Sequence, residues 1–144
     1  MRILVQRALD ASVSVEGEVV GSIDKGLLLL VGLTHTDTEE VLDWMVNKVV
    51  NLRIFEDDFK KMNLSVKDVD GEILSISQFT LYGDVKKGFR PSFTKAMAPD
   101  EANRLFIEFN RRLNEVVKTS TGKFGEEMKV DFVNDGPVTI LIEK

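Results

Sequence analysis

The sequence predicts an α+β fold with a mixed, largely antiparallel β-sheet and two main helices, in a single domain over residues 1–144. Strand-like segments follow one another in pairs instead of alternating with helices, which argues against a doubly wound sheet. The two helical segments lie far apart in the chain. A length of 144 residues is typical of one domain with a substantial core, and neither an internal repeat nor a linker interrupts it.

The chain opens with short predicted strands. Residues 2–8 and 12–16 are strand-like, and the second segment alternates valine with polar residues. A tight turn at 16–18, with the sequence Glu-Gly-Glu, predicts a hairpin into a third strand over 19–23. A second turn, Asp24 to Gly26, then leads into an apolar run that ends at Gly32 and is typical of a strand buried on both faces.

The first helix is predicted over about residues 37–52. Thr36 to Glu39 match a capping box, in which a hydroxyl is followed three residues later by a carboxylate. Apolar residues then recur at helical spacing, namely Leu42, Met45, Val49 and Leu52. Residues 55–71 are polar and irregular, so we expect a loop with a short extended piece, and residues 72–81 return to strand.

The second helix is predicted to begin at Pro99, because proline suits a first helical turn and the two acidic residues that follow suit the helix dipole. It should end near Gly122. Its apolar stripe consists of Ala102, Leu105, Phe106, Phe109, Leu113, Val116 and Val117. Two alternating strands, 128–133 and 138–142, complete the predicted fold.

Composition excludes several classes of function. The chain has no cysteine, so disulfides, thiol nucleophiles and cysteine-ligated zinc are ruled out. The net charge of −5 argues against nucleic-acid binding by the whole surface, although a local basic patch stays possible. The amino terminus predicts no signal peptide, and the longest apolar run, 27–31, is too short to span a bilayer. We therefore expect a cytoplasmic protein with no membrane contact.

Familiar catalytic motifs are absent from the sequence. The single histidine, His35, precedes the first helix, where a capping or solvated role is the simplest interpretation. The chain contains no nucleophile elbow, phosphate loop, dinucleotide fingerprint or zinc spacing, so we predict no metal and no cofactor. A Ser-His-Asp triad is not expected.

The strand 72–81 ends in polar residues on both predicted faces. One face carries Gln78 and Thr80 after two apolar residues, and the other carries Ser77 and Phe79. Strand ends beside loops can present hydrogen-bonding groups to a ligand. An edge strand whose hydroxyls bond its neighbours explains the same pattern.

The segment Asn134 to Thr139, NDGPVT, breaks a local rule. Asn-Asp-Gly is typical of a hairpin turn, but Pro137 removes a backbone donor where the returning strand should begin. An ordinary trans proline in a hairpin and a cis proline that exposes backbone groups both fit the pattern.

A basic segment, residues 86–95, places lysine and arginine between Phe89 and Phe93. Such a segment could hold a phosphate backbone and stack on bases. A solvated loop whose phenylalanines fill the core is the alternative.

Taken together, five segments resemble the D-aminoacyl-tRNA deacylases: VQRA (5–8), KMNLS (61–65), SQFTL (77–81), GFRPSF (88–93) and NDGPVT (134–139). The likeness runs in order over essentially the whole chain. It implies a homodimeric enzyme that hydrolyses the ester between a D-amino acid, or glycine, and the terminal ribose of tRNA. It also implies that the sheet curls into a partial barrel.

The resemblance assigns roles to individual residues. Ser77, Gln78 and Thr80 become the catalytic floor of the pocket, with Phe79 beside them. Gly136 and Pro137, joined by a cis bond, become a chiral filter that one subunit inserts into the other's site, braced by Arg7 and supported by Asn134. Phe124 and Met128 would cover the adenosine or the pocket rim. Two departures, Gly83 and Glu126, stand where the family often has alanine, and the acid at Glu126 bears on RNA contacts.

Two catalytic routes fit these residues. In the first, Thr80 or Ser77 positions water while backbone amides near Phe79 and Thr80 hold the oxyanion. In the second, the neighbouring ribose hydroxyl of the tRNA assists and the protein supplies orientation; we favour it because the site is poor in titratable groups. Two rival interpretations are a non-enzymatic RNA- or ligand-binding dimer and a hydrolase of small esters.

Overall fold

In the computed structural model, which describes all residues from Met1 to Lys144, β1 (Arg2–Val15) and β2 (Glu18–Gly32) form one long hairpin. The predicted turn between them is confirmed, since Glu16 and Gly17 have positive φ angles of 50° and 82°. The segments 2–8 and 12–16, predicted as separate strands, form a single strand. Cross-strand pairing continues through Leu9 and Ala11, and its ladder outweighs the local preference for a break.

The second predicted turn, at residues 24–26, is wrong because β2 runs through it without interruption. Gly26 instead allows the backbone of the neighbouring strand to pass very close to β2. Its φ is 153°, and a Cβ built there would lie 1.8 Å from the carbonyl oxygen of Glu72 on the neighbouring strand. Only glycine admits that separation.

The main sheet has the strand order β6-β5-β2-β1-β7. β5 (Glu72–Ser77) runs parallel to β2, and β6 (Thr119–Thr121) parallel to β5. β7 (Lys129–Glu143) pairs antiparallel with β1 over a longer register, so the sheet is mixed and mostly antiparallel, as predicted. β3 (Phe55–Glu56) and β4 (Met62–Leu64) form a separate small pair within the predicted loop.

Two helices cover one face of the sheet. α1 (Glu39–Asn51) and α2 (Pro99–Asn114) present apolar stripes to a core cluster of 25 buried residues. α2 begins at Pro99 as predicted but ends eight residues before Gly122, because the chain turns into β6.

β2 shows why its apolar run is continuous. Leu27, Leu29 and Val31 belong to the helix-covered core, whereas Leu28 belongs to a second cluster on the opposite face. The prediction of burial on both faces is therefore confirmed. Neither α1, with 13 residues, nor α2, with 16, could span a bilayer.

The predicted capping box at the start of α1 does not form. Thr38 occupies the N-cap without a side-chain hydrogen bond to the helix. The box fails because the helix begins at Glu39, so Thr38 and not Thr36 is the N-cap, and the Glu39 carboxylate pairs with Arg112 of the second helix at 2.8 Å. The carboxylate of Asp37, inside the same segment, accepts hydrogen bonds from the amino group of Met1 at 2.6 Å and from the amide of Thr34 at 2.8 Å.

An ion-pair network joins the two helices on their outer surface. The guanidinium of Arg112 contacts Glu39 and Asp43 of α1 at 2.8 and 2.7 Å, and Glu108 of its own helix at 2.7 Å. Hydrogen bonds from Arg111 and Arg112 lower the pKa of Glu108 from 4.5 to about 2. The ionised form of Glu108 is therefore favoured in the folded state.

We expect Glu108→Gln to lower the melting temperature at pH 7. Because the folded-state pKa lies below the ordinary value, this carboxylate stabilises the fold above about pH 4.5 and loses that effect as the pH falls toward about 2. The difference in melting temperature from the wild type should shrink over the same interval. Glu127→Gln, which removes an exposed carboxylate outside any ion pair, is the control. Equal melting temperatures at pH 7 would contradict the expectation.

Candidate active site

The site begins where β5 ends. The strand stops at Ser77, and the chain enters a short 3₁₀ helix, Phe79–Tyr82, so the prediction of a strand to residue 81 is wrong. The reason lies in the partner strand, because the amide of Gln78 makes a last hydrogen bond, 2.7 Å, to the carbonyl of Val31 just before β2 ends. Without a neighbour to pair with, the backbone turns. The polar residues of SQFTL therefore line a strand end and a helical turn, and do not form two sheet faces.

Tyr82, the last residue of the 3₁₀ helix, is buried and fixes the helix against the protein. Burial raises the pKa of its phenol to about 12, so the ring stays neutral at physiological pH. The guanidinium of Arg2 lies 4.6 Å from the ring centroid and donates a hydrogen bond of 2.9 Å to the carbonyl of Leu81. The turn that carries Phe79 and Thr80 is thus held against the first strand.

A largely apolar pocket of about 620 Å³ opens beside this turn. Five of the predicted site residues line it, in two segments that are about 45 positions apart in the chain: Ser77, Gln78, Phe79, Phe124 and Met128. The tertiary structure therefore brings the end of β5 and the segment before β7 together around one cavity. A pocket of this size and apolar lining suits a nucleoside-sized ligand.

Aromatic contacts shape two sides of the pocket. Phe79 meets Phe93 edge-on, with ring centroids 5.1 Å apart, and Phe124 packs against Phe106 at 6.1 Å. Phe79 is 58% exposed, so much of its surface is free to contact a ligand.

Part of the pocket wall comes from residues that no sequence pattern singles out. Leu33, which follows β2, and the segment 96–99, which leads into the first residue of α2, both line the cavity. Neither carries a chemical signal in the sequence, since small and apolar residues are common everywhere. Phe93 belongs to GFRPSF and lines the pocket; the alternative that this phenylalanine fills the core is wrong because Phe93 is exposed and belongs to neither core cluster.

The polar groups of the pocket are few. Ser77, Gln78 and Glu126 are the polar side chains in its lining. The side-chain amide of Gln78 donates to the hydroxyl of Thr80, which is exposed and lies outside the lining. His35 faces elsewhere, with Nε2 at 2.8 Å from the carbonyl oxygen of Thr94. No cluster of acidic or histidine side chains suited to a metal ion occurs in the structure.

NDGPVT is a bulge and not a hairpin. β7 is one strand, and both of its halves pair with β1 in the same direction. Asn134 lies opposite Ala8 and Thr139 lies opposite Gln6, so residues 135–138 of β7 oppose the single residue Arg7. The hairpin interpretation fails because it relied on local turn residues, whereas the pairing partner of both halves is distant in sequence.

The bulge is held by two side chains. Arg7, only 7% exposed, donates from Nε to the carbonyl of Asp135 at 2.9 Å and from Nη1 to the carbonyl of Ile54 at 2.8 Å. The side chain of Asn134 accepts from the amide of Val138 at 2.9 Å and donates to the hydroxyl of Thr139 at 3.0 Å. The backbone of the bulge is therefore fixed from inside.

The tip of the bulge is presented to the outside. Gly136 and Pro137, whose peptide bond is cis, are exposed and do not line the pocket of their own chain. Gly136 has a φ of 134°, a conformation that L side chains rarely adopt. The predicted site residues thus form two groups, one around the pocket and one at the outer edge of the sheet.

Comparisons with known proteins agree with this architecture. The sequence profile described as D-Tyr-tRNA(Tyr) deacylase matches residues 4–143. A D-aminoacyl-tRNA deacylase of an Exiguobacterium species is 60% identical over 146 residues, covering 100% of this chain and 99% of the relative. That of Bacillus licheniformis is 57% identical over 144 residues, covering 99% and 98%.

Solved structures show the same fold. A protein named c-Myc DNA Unwinding Element Binding Protein superposes with a TM-score of 0.95 at 42% identity, over 100% of this chain and 99% of the other. A probable eukaryotic D-amino acid tRNA deacylase, 19% identical, has a TM-score of 0.84 over 98% and 97% and shows the fold alone.

The α+β fold and its apolar pocket, together with these relatives, define a hydrolase that acts on aminoacyl-tRNA. The chain belongs to the D-aminoacyl-tRNA deacylase family and is an enzyme of that family.

Proposed function

We propose that the protein hydrolyses the ester of D-aminoacyl-tRNA, and of mischarged glycyl-tRNA, as a cytoplasmic homodimer that rejects L-amino acids. The observation that carries the proposal is the placement of Gly136 and Pro137. A rigid bulge, buttressed by the buried Arg7, presents these two residues to the outside instead of to the pocket of their own chain. A bulge placed in this way could contact a substrate only in the pocket of a second copy of the chain.

The pocket would take the end of the charged tRNA. Its apolar lining suits the terminal adenosine, with Phe124 and Met128 covering the base or the rim. Ser77 and Gln78 stand at the end of β5, where they could contact the ester. Phe79 would border the aminoacyl group.

The edge of the sheet offers a place for the second copy. β7 is an outer strand and carries exposed apolar side chains, Val130, Val133 and Leu141. Exposed strand edges of this kind favour pairing with another chain. Val130 also lines the pocket, so a copy docked on β7 would lie beside the cavity.

The chiral filter would act by steric exclusion. Backbone groups of Gly136 and Pro137 from one subunit would meet the amino group and Cα of the substrate in the other. An L side chain would then collide with the backbone, whereas a D side chain points away. Glycine, which has no side chain, would pass through the same filter.

Hydrolysis would depend on the RNA itself. Water attacks the ester carbonyl carbon, the bond to the ribose oxygen breaks, and that oxygen takes up a proton, leaving free tRNA and the amino acid. No histidine lines the pocket to act as a base. The adjacent ribose hydroxyl would assist proton transfer while the protein orients the ester. The first amides of the 3₁₀ helix, at Phe79 and Thr80, have no partner within that helix and could stabilise the oxyanion.

We expect Thr80→Ala to keep appreciable activity, within about tenfold of the wild type. The hydroxyl of Thr80 is exposed, and its side-chain partner is the amide of Gln78, which cannot act as a base. Single-turnover rates on D-aminoacyl-tRNA measure the effect. Complete loss of turnover with intact folding and tRNA binding would exclude the RNA-assisted route.

One assay separates the proposed function from its rivals. The protein is incubated separately with matched D- and L-aminoacyl-tRNA, with glycyl-tRNA and with a simple ester that contains no RNA, and loss of each ester is followed. Selective loss of the D-ester, together with the glycyl ester, is the expected result. Binding without turnover would favour an RNA-binding module, and hydrolysis of simple esters without tRNA would favour a small-ester hydrolase. Sedimentation of the protein alone tests the dimer.

A further inference from the structure

The loop Val85–Pro91, which we term the basic loop, is closed by a two-way backbone contact. The amide of Asp84 donates to the carbonyl of Ser92 at 2.8 Å, and the amide of Ser92 donates back at 2.9 Å. The carboxylate of Asp84 also accepts from the amide of Lys86 at 2.9 Å, which lowers its pKa. The base of the loop is therefore ordered while its tip projects.

The tip of the basic loop carries a phenylalanine with no packing partner. Phe89 is fully exposed, at 106% of its reference surface, and follows Gly88, which turns the chain with a φ of 68°. Burial of a phenylalanine side chain stabilises a folded protein, and a fully exposed ring forgoes that stabilisation. A ring held in this position is available for contact with another molecule.

The charges around Phe89 point to an anionic partner. Lys86, Lys87 and Arg90 are exposed, and none of them forms an ion pair, although the protein carries a net charge of −5. By contrast, Arg111 and Arg112 on α2 are neutralised by carboxylates. Three unpaired cations around an exposed aromatic ring match the chemistry of single-stranded nucleic acid, where stacking and phosphate contacts act together.

The basic loop stands next to the pocket. Phe93, which lines the pocket and contacts Phe79, is four residues from Phe89, a chain distance of at most about 14 Å. A nucleic acid whose end lies in the pocket would pass this loop with the nucleotides next to its end.

We propose that Phe89 stacks on an unpaired base of the tRNA 3′ end next to the terminal adenosine, while Lys86, Lys87 and Arg90 contact the adjoining phosphates. This assignment rests on the proposed function, in that the pocket receives the terminal adenosine. It makes the basic loop a binding element for RNA beyond the aminoacylated nucleotide and leaves the chemical step to the pocket.

The test compares Phe89→Ala with Phe59→Ala, which removes another largely exposed phenylalanine from a loop far along the chain. Affinity for uncharged tRNA should fall roughly 5- to 150-fold in Phe89→Ala, the range for removal of one stacked base. Phe89→Trp should restore it, and Phe59→Ala should match the wild type. Equal affinity of Phe89→Ala and the wild type would overturn the proposal.

A second substrate locates the contact. On D-aminoacyl-tRNA, Phe89→Ala should raise KM by the same factor with little change in kcat, and the defect should vanish with D-aminoacyl-adenosine, which lacks the neighbouring bases. An equal defect on both substrates would place Phe89 at the terminal adenosine and contradict the assignment. If the proposed enzymatic function itself fails, the wild type hydrolyses neither ester, while the binding comparison still tests the basic loop.

Charge removal provides a third measurement. Replacing Lys86, Lys87 and Arg90 together with glutamine should weaken tRNA binding and reduce the slope of log affinity against log salt by about 0.7 for each phosphate that the loop no longer binds. An unchanged slope would show that these cations do not bind phosphates.

Discussion

We expect Gly136→Val to reduce hydrolysis of D-aminoacyl-tRNA by about 100-fold or more and to weaken the rejection of L-aminoacyl-tRNA. A Cβ at this position would lie 2.8 Å from Cγ2 of Val138 and 3.1 Å from Nη2 of Arg7, so either these side chains or the backbone of the bulge must shift. The φ of 134° adds to the cost for any L residue. A displacement of about 1 Å at a positioning group is enough for a loss of this size.

Gly17→Val is the matched control for that replacement. Gly17 also has a positive φ, 82°, but a Cβ there meets nothing within 4 Å, and it lies in the distant β1–β2 turn. This variant should lose about 1–2 kcal/mol of stability and keep the activity and the D-to-L ratio of the wild type. Measuring kcat/KM of both variants on D- and L-aminoacyl-tRNA separates the general effect of backbone strain from a specific role of Gly136. Wild-type discrimination in Gly136→Val would contradict the chiral-filter assignment.

Arg7→Ala should lower both stability and activity. The replacement removes the donors to the carbonyls of Asp135 and Ile54 and leaves the Ile54 carbonyl buried without a partner, at a cost of about 2–3 kcal/mol in the free energy of unfolding. The bulge then loses its brace. We expect kcat/KM for D-aminoacyl-tRNA to fall about 10- to 100-fold at a temperature where the variant is still folded.

Two further variants separate the roles of Arg7. Arg7→Lys keeps the charge, but a single ammonium group cannot donate to both carbonyls in the way that the planar guanidinium does. This variant should therefore restore stability only in part. Arg53→Ala removes a nearby exposed arginine whose side chain bonds only Asn63, and it should behave as the wild type. If Arg7→Ala is destabilised yet retains full activity and discrimination, Arg7 supports the fold and not the filter.

Much of the fold follows from local patterns. The apolar stripe and Pro99 correctly predicted where α2 begins, and the uninterrupted apolar run at 27–31 correctly predicted a strand buried on both faces. These predictions succeed because a regular element buries side chains at regular intervals, so apolar residues recur in the sequence with the period of the helix or strand. The β1–β2 turn was found for a related reason, since Gly17 needs a positive φ that few residues tolerate.

Predictions failed where a distant segment outweighs a local preference. Gly26 resembles a turn residue, yet it lies within β2 because β5 passes too close for a side chain. Thr36 and Glu39 resemble a capping box, yet the helix begins at Glu39 and the Glu39 carboxylate binds Arg112 of α2. In each case the contacting residue is far away in the sequence, and the neighbouring residues contain no signal of that contact.

The candidate site divides in the same way. The motifs SQFTL and NDGPVT are visible as residues, and the family that they indicate was identified from the sequence alone. That Ser77 and Phe124 line one cavity while Gly136 and Pro137 face outward was decided only by the tertiary structure. The ending of β2 turns the chain at Gln78, and the pairing of both halves of β7 with β1 converts an apparent hairpin into a bulge. Residue identity sets which groups are available, whereas long-range strand pairing sets where they point, because pairing energy is shared between segments that no local window contains together.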